Sequence, residues 1–257
     1  MYRTLDVQTD PRGVAHVALN LPEKRNALSG DMIAELTDLA RTVGTTARVM
    51  VLSGRGTVFC AGGDLAWMQA QIAADRPTRM AEARKLAEML QALNEMPVPL
   101  IGRLHGGAYG GGVGLACVCD VVLAETGTKF ALTETRLGLI PATIGPYVLA
   151  RMGEGQARRV FMSSRVFGAD EAASLGIVSR VVAPGDMDRA VEAETVPYLS
   201  VAPGAVGAAK ALARALSPRI DDGVIDDTIE RLANTWEGEE AAHGIAAFLN
   251  RIPPRWG

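Results

Sequence analysis

The sequence predicts an α/β fold in which short strands and helices alternate, followed by a purely helical C-terminal region. Short apolar runs alternate with longer stretches whose apolar residues recur at helical spacing. Two glycine-bearing turns, at residues 59–65 and 106–114, each follow an apolar run. From Pro203 onward only helical periodicity remains. We therefore expect a core domain over residues 1–200 and a helical region over residues 201–257.

The individual elements follow from the same patterns. A Pro-Arg-Gly turn separates two alternating runs and predicts a hairpin. Ser29 is a favourable helix N-cap, so a helix is expected to begin at Gly30. Strands are predicted from Tyr2 and over residues 13–20, 48–54, 97–101, 119–124 and 128–131. Helices are predicted over residues 30–43, 77–95, 111–117, 205–216, 221–236 and 239–249.

Composition and charge favour a soluble protein of the cytoplasm. Hydrophobic residues make up 48% and charged residues 21% of the chain, which is the balance of an ordinary globular protein. The formal charge of −3 does not indicate the basic surface that nucleic-acid binding needs. No apolar run reaches the ~18 residues of a membrane-spanning helix, and the N-terminus alternates instead of carrying a secretory signal. We expect neither a nucleic acid nor a membrane as partner.

The three cysteines predict no special chemistry. Cys60, Cys117 and Cys119 are an odd number, which favours a reduced compartment over a disulfide framework. The Cys117-x-Cys119 spacing has no second pair, so it does not indicate zinc. We expect all three to be buried as small hydrophobic residues, and we expect no metal site.

The glycine cluster at residues 106–114 is the strongest functional signal. Six glycines in nine residues are costly, because each loses roughly 0.5–1 kcal/mol relative to alanine inside a helix or strand. Together with the turn at residues 59–65, the cluster can direct two backbone N–H groups at one oxygen, as an oxyanion hole requires. The alternative is tight packing of a strand against a helix. Neither nucleotide-binding glycine pattern is present.

Among the ionisable residues, Glu134 is the candidate for proton transfer. It lies in a mainly apolar segment, and desolvation raises the pKa of a carboxyl group towards the useful range. The alternative is a salt bridge to Arg136 or a capping role. His105 lies beside the glycine cluster without a nucleophile motif, so we interpret it as structural or pocket-lining. Asp64 is explained by helix capping.

Taken together, residues 22–28, 59–65, 105–120 and 134–141 resemble the enoyl-CoA hydratase/isomerase (crotonase) family, in the family's order and over nearly the whole chain. The resemblance implies a spiral of β-β-α units and a helical C-terminal trimerisation region. It also implies homotrimers or homohexamers. The substrate would be an acyl-CoA thioester, so coenzyme A enters as part of the substrate and no prosthetic group is needed.

The same resemblance implies roles for single residues. The N–H groups of Ala61 and Gly111 would bind the thioester oxygen, with Glu134 as acid and base. The residues implied in binding coenzyme A are Lys24, Arg25, Ala27, Ala61, Gly63, Asp64, Leu65, Phe248 and Arg251. For Phe248 and Arg251 the alternatives are helix packing and a solvated charge. The residues expected to line the acyl pocket are Trp67, Met68, Gly114, Ala142, Thr143 and Ile144.

The reaction itself stays open between hydration and isomerisation. Hydratases of this family typically use two glutamates; Glu134 matches the second, whereas Gly114 occupies the place of the first. One base suffices to move a double bond, which favours an isomerase. Residues 64–68 and 133–146, however, look like a methylglutaconyl-CoA hydratase branch. We predict an enoyl-CoA hydratase, with an enoyl-CoA isomerase and a non-catalytic acyl-CoA-binding scaffold as alternatives. A peptidase of related fold is disfavoured, because no Ser-His-Asp set occupies the turns.

Overall fold

The computed structural model describes residues 2–44 and 46–256 and has the α/β architecture that the sequence predicts. Its strands are β1 Leu5–Thr9, β2 Val14–Leu19, β3 Val49–Gly54, β4 Leu100–Leu104, β5 Gly107–Tyr109, β6 Val121–Glu125, β7 Lys129–Ala131, β8 Phe167–Gly168 and β9 Arg180–Val182. Its α-helices are α1 Gly30–Val43, α2 Leu65–Ala73, α3 Arg76–Glu95, α4 Gly111–Val118, α5 Gly145–Met152, α6 Glu154–Phe161, α7 Ala169–Ser174, α8 Met187–Leu199, α9 Pro203–Ala215, α10 Asp222–Trp236 and α11 Glu239–Leu249. Short 3-10 segments lie at Pro22–Lys24, Glu134–Leu137 and Pro184–Asp186.

The strands form two sheets that share successive units of the chain. The larger sheet has the order β1-β2-β3-β4-β6-β9, in which only the β1–β2 hairpin is antiparallel. The smaller sheet has the order β5-β7-β8. Strands β4 and β6 belong to the larger sheet, whereas the strands that follow them, β5 and β7, belong to the smaller one. These two units therefore give one strand to each sheet, as the predicted spiral of β-β-α units requires.

Local sequence signals account for several element boundaries. Helix α1 begins after Ser29, whose side chain accepts a hydrogen bond from the Met32 N–H at 3.3 Å. The strand expected over residues 97–101 is instead β4, displaced toward the C-terminus. Pro97 and Pro99 have no N–H to donate, so regular pairing begins after them. The Pro99 carbonyl still accepts from the Met50 N–H at 2.9 Å.

The C-terminal helices differ in how they meet the rest of the chain. Ile225 and Ile229 of α10 are buried against Ala83 and Ala87 of α3. Helix α11 packs on the 3-10 turn at Glu134–Leu137. Helix α9, in contrast, has no buried residue. Helices α10 and α11 are therefore integral to the core, whereas α9 lies on its surface.

Cys60, Cys117 and Cys119 are free thiols and are buried, as expected. Burial raises the pKa of each thiol to about 12, so none is a thiolate at neutral pH.

Among the described residues, no helix combines the length and the apolar composition that crossing a membrane requires.

Candidate active site

The two glycine-bearing turns lie side by side. The Cys60 N–H donates to the Gly107 carbonyl at 3.1 Å, and the Tyr109 N–H donates to the Cys60 carbonyl at 3.0 Å. A Cβ atom on Gly112 would lie only 2.6 Å from the Cys60 carbonyl oxygen, so any other residue there would separate the turns. Gly112 thus has a packing role, as the alternative interpretation holds, and this packing fixes the directions of the neighbouring N–H groups.

The N–H group of Ala61 is already engaged. It donates to the carbonyl oxygen of Arg25 at 3.0 Å. The prediction that Ala61 supplies an oxyanion donor is therefore wrong for this structure, because a donor saturated by the protein cannot also bind substrate. Ala61 does line the cavity described below.

Gly63, which lies two residues after Ala61 in the same turn, presents a free N–H group instead. Gly63 forms an isolated parallel bridge with Leu28, in which the Leu28 N–H donates to the Gly62 carbonyl at 2.7 Å and the Leu28 carbonyl accepts from the Asp64 N–H at 3.2 Å. In such a bridge the N–H of Gly63 itself points away from Leu28. Within the described parts of the chain it has no acceptor.

Gly111 supplies the second free N–H group. It is the first residue of α4, where backbone N–H groups have no partner inside the helix. The N–H groups of Val113 and Gly114 turn back to the Gly110 carbonyl, at 2.9 and 3.2 Å. The N–H of Gly111 has no acceptor in residues 2–44 and 46–256. The helix N-terminus also carries positive potential, which favours an anionic oxygen.

Both N–H groups belong to residues that line one cavity of about 470 Å³. Its inner wall is mainly apolar, whereas its exposed rim carries Arg25 and Arg136. The residues expected at the acyl pocket that do line it are Trp67, Met68, Ala142, Thr143 and Ile144. A larger cleft of about 970 Å³ lies elsewhere, beneath α9, and contains neither glycine turn.

Glu134 is the one acidic side chain among the cavity-lining residues of the described chain. Its Oε2 atom is buried and has no hydrogen-bond partner in that part of the chain. Desolvation by burial raises the pKa of Glu134 to about 7, although the N–H groups of Glu134 and Thr133 partly offset this. No ion pair joins Glu134 to Arg136 in the described residues, and Arg136 is not among the groups that shift the pKa of Glu134, so the salt-bridge alternative is wrong. The carboxyl group has the pKa expected of a general acid and base at neutral pH.

Gly114 does not contribute to the cavity wall, contrary to our prediction. A Cβ atom there would lie 2.5 Å from Cγ2 and 3.0 Å from Cβ of Ile144. Gly114 is buried beneath Ile144, and Ile144 forms the wall in its place. An apolar side chain therefore fills the space next to α4 that a side chain at position 114 would enter.

Comparison with known sequences identifies the family. A family model described as enoyl-CoA hydratase/isomerase matches residues 9–257. The chain belongs to this family. A relative from Thermus thermophilus, whose name places it among the enoyl-CoA hydratases, is 32% identical over 257 residues, covering 97% of this chain and 100% of the relative. An enoyl-CoA hydratase of Alternaria alternata is 30% identical over 250 residues, covering 95% of this chain and 81% of that protein.

Solved structures agree with the sequence comparison. The crystal structure of an enoyl-CoA hydratase from Shewanella pealeana matches with a TM-score of 0.81 at 33% identity, covering 100% of this chain and 97% of that chain. An enoyl-CoA hydratase from Mycobacterium avium matches with a TM-score of 0.85 at 28% identity, covering both chains fully, 100% each. The resemblance drawn from the four motifs is confirmed, and the chain is a member of an enzyme family.

In this hydratase/isomerase family member, the residues expected to bind coenzyme A occupy different kinds of position. Arg25, Gly63 and Phe248 line the cavity with Ala61. Asp64 caps α2 by accepting from the N–H groups of Ala66 and Trp67, at 2.9 and 3.1 Å, which confirms its structural interpretation. The expected residues that do not line the cavity are Lys24, Ala27, Asp64, Leu65 and Arg251. Their contact with coenzyme A stays a prediction.

Sequence reasoning missed Asn26, which holds the loop before α1 against the first glycine-bearing turn. Its side chain is fully buried. The amide oxygen accepts from the Leu21 N–H at 3.0 Å, and the amide nitrogen donates to the carbonyls of Arg55 and Val58 at 2.8 and 3.0 Å. Every polar atom is thus satisfied locally, and Arg25 is positioned to receive the Ala61 N–H. An asparagine in a polar loop carries no sequence signal of such burial.

Helix α11 supports the catalytic candidate from the other side. A Cβ atom on Gly244 would lie 2.6 Å from the Leu137 carbonyl carbon, so α11 packs directly on the backbone of the turn that carries Glu134. Trp236, at the end of α10, lines the same cavity. The sequence signal for both was the apolar face of the C-terminal helices.

Proposed function

We propose that this protein is an enoyl-CoA hydratase that adds water across the α,β double bond of an acyl-CoA thioester. One observation carries the proposal: a carboxyl group whose buried Oε2 atom has no hydrogen-bond partner shares a cavity with two backbone N–H groups that have no acceptor in the described chain. Glu134 is the acid and base, and Gly63 and Gly111 are the two donors. Coenzyme A is part of the substrate, with Arg25 and Phe248 at the cavity rim as its contacts.

The two N–H groups act on the thioester oxygen. When a nucleophile adds at Cβ, the electron pair of the double bond moves towards the carbonyl and the oxygen becomes an enolate oxyanion. Donors that are already in place stabilise this charge more than they stabilise the neutral thioester, which lowers the barrier. Loss of one such donor typically costs on the order of 10²–10³ in kcat.

Glu134 completes the proton transfers. As the oxygen of water bonds to Cβ, the ionised carboxylate takes one proton of that water. The neutral carboxylic acid then gives the proton to Cα, the enolate returns its electron pair to the carbonyl, and the thioester is restored. One carboxyl group therefore suffices for both proton transfers, and atoms and charges balance without a second glutamate.

The pH dependence of hydration follows from the raised pKa of Glu134. The first step needs the ionised form, whose population falls below the pKa of about 7. We expect kcat/KM for hydration to fall about tenfold per pH unit below that value and to reach a plateau above it. Initial rates followed at the enoyl-thioester absorbance between pH 5 and 9 check this. A profile flat down to pH 5 contradicts the assignment.

The isomerase alternative uses the same groups and rests on Gly114. Ile144 fills the space beside Gly114, so the site has a single carboxyl group near α4. One carboxyl group is enough to move a proton from one carbon to another, as isomerisation requires. Turnover of a panel of 2-enoyl- and 3-enoyl-CoA thioesters in deuterated water separates the two reactions, since only hydration gives a 3-hydroxyacyl product. Double-bond migration without any hydroxyacyl product rejects the hydratase proposal. Binding without turnover favours the acyl-CoA-binding scaffold.

Within the hydratases, we favour a substrate of the methylglutaconyl-CoA type. The likeness of residues 64–68 and 133–146 to that branch supports it. Arg136 lies at the cavity rim and has no ion pair in the described residues, so it is available to a carboxylate at the far end of the acyl group. The enoyl-CoA panel therefore includes methylglutaconyl-CoA beside neutral thioesters of similar length. A strong preference for neutral acyl groups rejects this finer proposal.

We further propose that α9 joins copies of the chain in a homotrimer. Leu212 in α9 and Leu216, the residue directly after the helix, are 60% and 81% exposed. Residues four positions apart lie on one helix face, so the two side chains expose apolar surface side by side. We expect Leu212→Glu to lower the sedimenting mass from trimer towards monomer. Met162→Glu, at another exposed apolar residue (62%), is the matched control and should stay trimeric. A wild-type protein that sediments as a monomer contradicts the proposal.

A further inference from the structure

The backbone of Gly110 passes close to the side chains of Glu134 and Thr133. Gly110 has a φ of +48°, a conformation that other residues rarely adopt, so the position carries no side chain. A Cβ atom built there would lie 3.1 Å from Oε1 of Glu134 and 3.5 Å from Oγ1 of Thr133. The two side-chain oxygens thus lie close to the same backbone position, at the wall of the cavity that Gly110 lines.

The hydroxyl group of Thr133 forms no hydrogen bond with the described part of the protein. Thr133 precedes the 3-10 turn at Glu134–Leu137, yet its side chain makes no capping hydrogen bond. No hydrogen bond of this hydroxyl is present among the described residues, whereas the neighbouring Thr135 hydroxyl pairs with Ser164 at 2.6 Å. Thr133, Gly110 and Glu134 all line the candidate active-site cavity. The hydroxyl is therefore available to a molecule in the cavity.

Hydration requires a water molecule held in a fixed orientation, and one carboxylate alone does not fix that orientation. A carboxylate oxygen can accept one O–H of a water molecule, but the water still rotates about that hydrogen bond. A second acceptor fixes the other O–H and leaves an oxygen lone pair free to attack Cβ. Ile144 occupies the space where a second carboxylate at Gly114 would lie. The second acceptor must come from elsewhere in the cavity.

We propose that Thr133 binds the reacting water together with Glu134. This inference rests on the proposed hydratase function. The water donates one O–H to Oε1 of Glu134 and the other to Oγ1 of Thr133, and its free lone pair forms the bond to Cβ. The first O–H bond breaks in that step and its proton passes to Glu134, which later gives it to Cα. The second O–H remains on the product as its hydroxyl group.

Removal of the hydroxyl separates water binding from proton transfer. Thr133→Val keeps the shape of the side chain and removes only the acceptor. Two rates are measured for each variant: hydration of the enoyl-CoA that the wild type hydrates fastest, and exchange of the Cα hydrogen of its saturated counterpart in deuterated water. Exchange needs Glu134 and the two N–H donors but adds no water.

We expect Thr133→Val to lower kcat for hydration by about tenfold to a hundredfold, while exchange stays within about twofold of wild type. Thr133→Ser restores the hydroxyl and should recover most of the hydration rate. Thr143→Val tests the other cavity threonine and should have the smaller effect on hydration. Unchanged folding of each variant is checked by its melting temperature.

Several results overturn the proposal. Hydration by Thr133→Val at the wild-type rate shows that the hydroxyl is not used. Equal losses of hydration and exchange show that the substitution disturbs Glu134 instead. A larger loss in Thr143→Val assigns the water to that residue. Exchange without hydration in the wild type rejects the hydratase function itself and the water site with it, whereas the first three results leave the proposed function standing.

Discussion

Glu134→Gln is expected to abolish both hydration and Cα hydrogen exchange, with losses on the order of 10²–10⁴-fold. Glutamine has nearly the shape of glutamic acid, so the acyl-CoA still binds between Gly63 and Gly111. The amide cannot take a proton from water or return one to Cα at any pH near neutrality. Since Glu134 is the one acid among the described cavity residues, no neighbouring carboxylate replaces it. Steady-state hydration and exchange in deuterated water measure the two losses.

A matched control distinguishes loss of chemistry from loss of a surface charge. Glu154 lies at the start of α6, 77% exposed, in an ion pair with Arg158 and outside the cavity. Glu154→Gln should keep wild-type activity. Circular dichroism and the melting temperature show whether Glu134→Gln is folded. A folded Glu134→Gln variant that hydrates within about tenfold of wild type contradicts the role of this carboxyl group.

Local signals predicted the elements that depend on short stretches of chain. Helix α1 has the expected bounds because Ser29 supplies its cap and apolar residues recur at helical spacing. Helix α11 likewise spans Glu239–Leu249 as expected. Helix α8, by contrast, carries only a weakly amphipathic pattern interrupted by Pro197, and no periodicity predicted it. Its burial against the larger sheet supplies the stabilisation that local sequence lacks.

The details of the site depend on contacts between distant segments. The sequence predicted that the two turns meet, but not which N–H groups stay free. Successive N–H groups of an extended chain point in opposite directions, and the bridge between Leu28 and Gly63 selects their orientation. The packing of Ile144 on Gly114 likewise joins residues thirty positions apart in the chain. Neither contact has a sequence signal, so the sequence predicts Ala61 as the donor, two residues before Gly63.

Gly106→Ala is expected to prevent folding, which is the largest effect on stability that the glycine turns predict. Gly106 has a φ of +63°, and an alanine Cβ there would lie 1.9 Å from the Thr57 carbonyl oxygen. That separation is far inside van der Waals contact. The backbone cannot easily move away, because the His105 carbonyl accepts from the Phe59 N–H and the Gly106 carbonyl accepts from the Lys129 N–H, both at 3.0 Å. Soluble expression and urea unfolding measure the result.

Substitutions at two other glycines distinguish the effect of the steric clash on stability from the effect of the left-handed backbone conformation. Gly127 has a φ of +91° with no atom within 4 Å of a built Cβ, so Gly127→Ala should lose only about 1–2 kcal/mol for the left-handed backbone. Gly155, in α6, also has open space and an ordinary backbone, so Gly155→Ala should gain about 0.5–1 kcal/mol. If Gly106→Ala unfolds at the same urea concentration as Gly127→Ala, the segment at Thr57 that leads into the first turn can move away from the glycine cluster at little cost. The free N–H groups of Gly63 and Gly111 would then not be held in place before substrate binds, and the preorganisation on which the oxyanion hole depends would be lost.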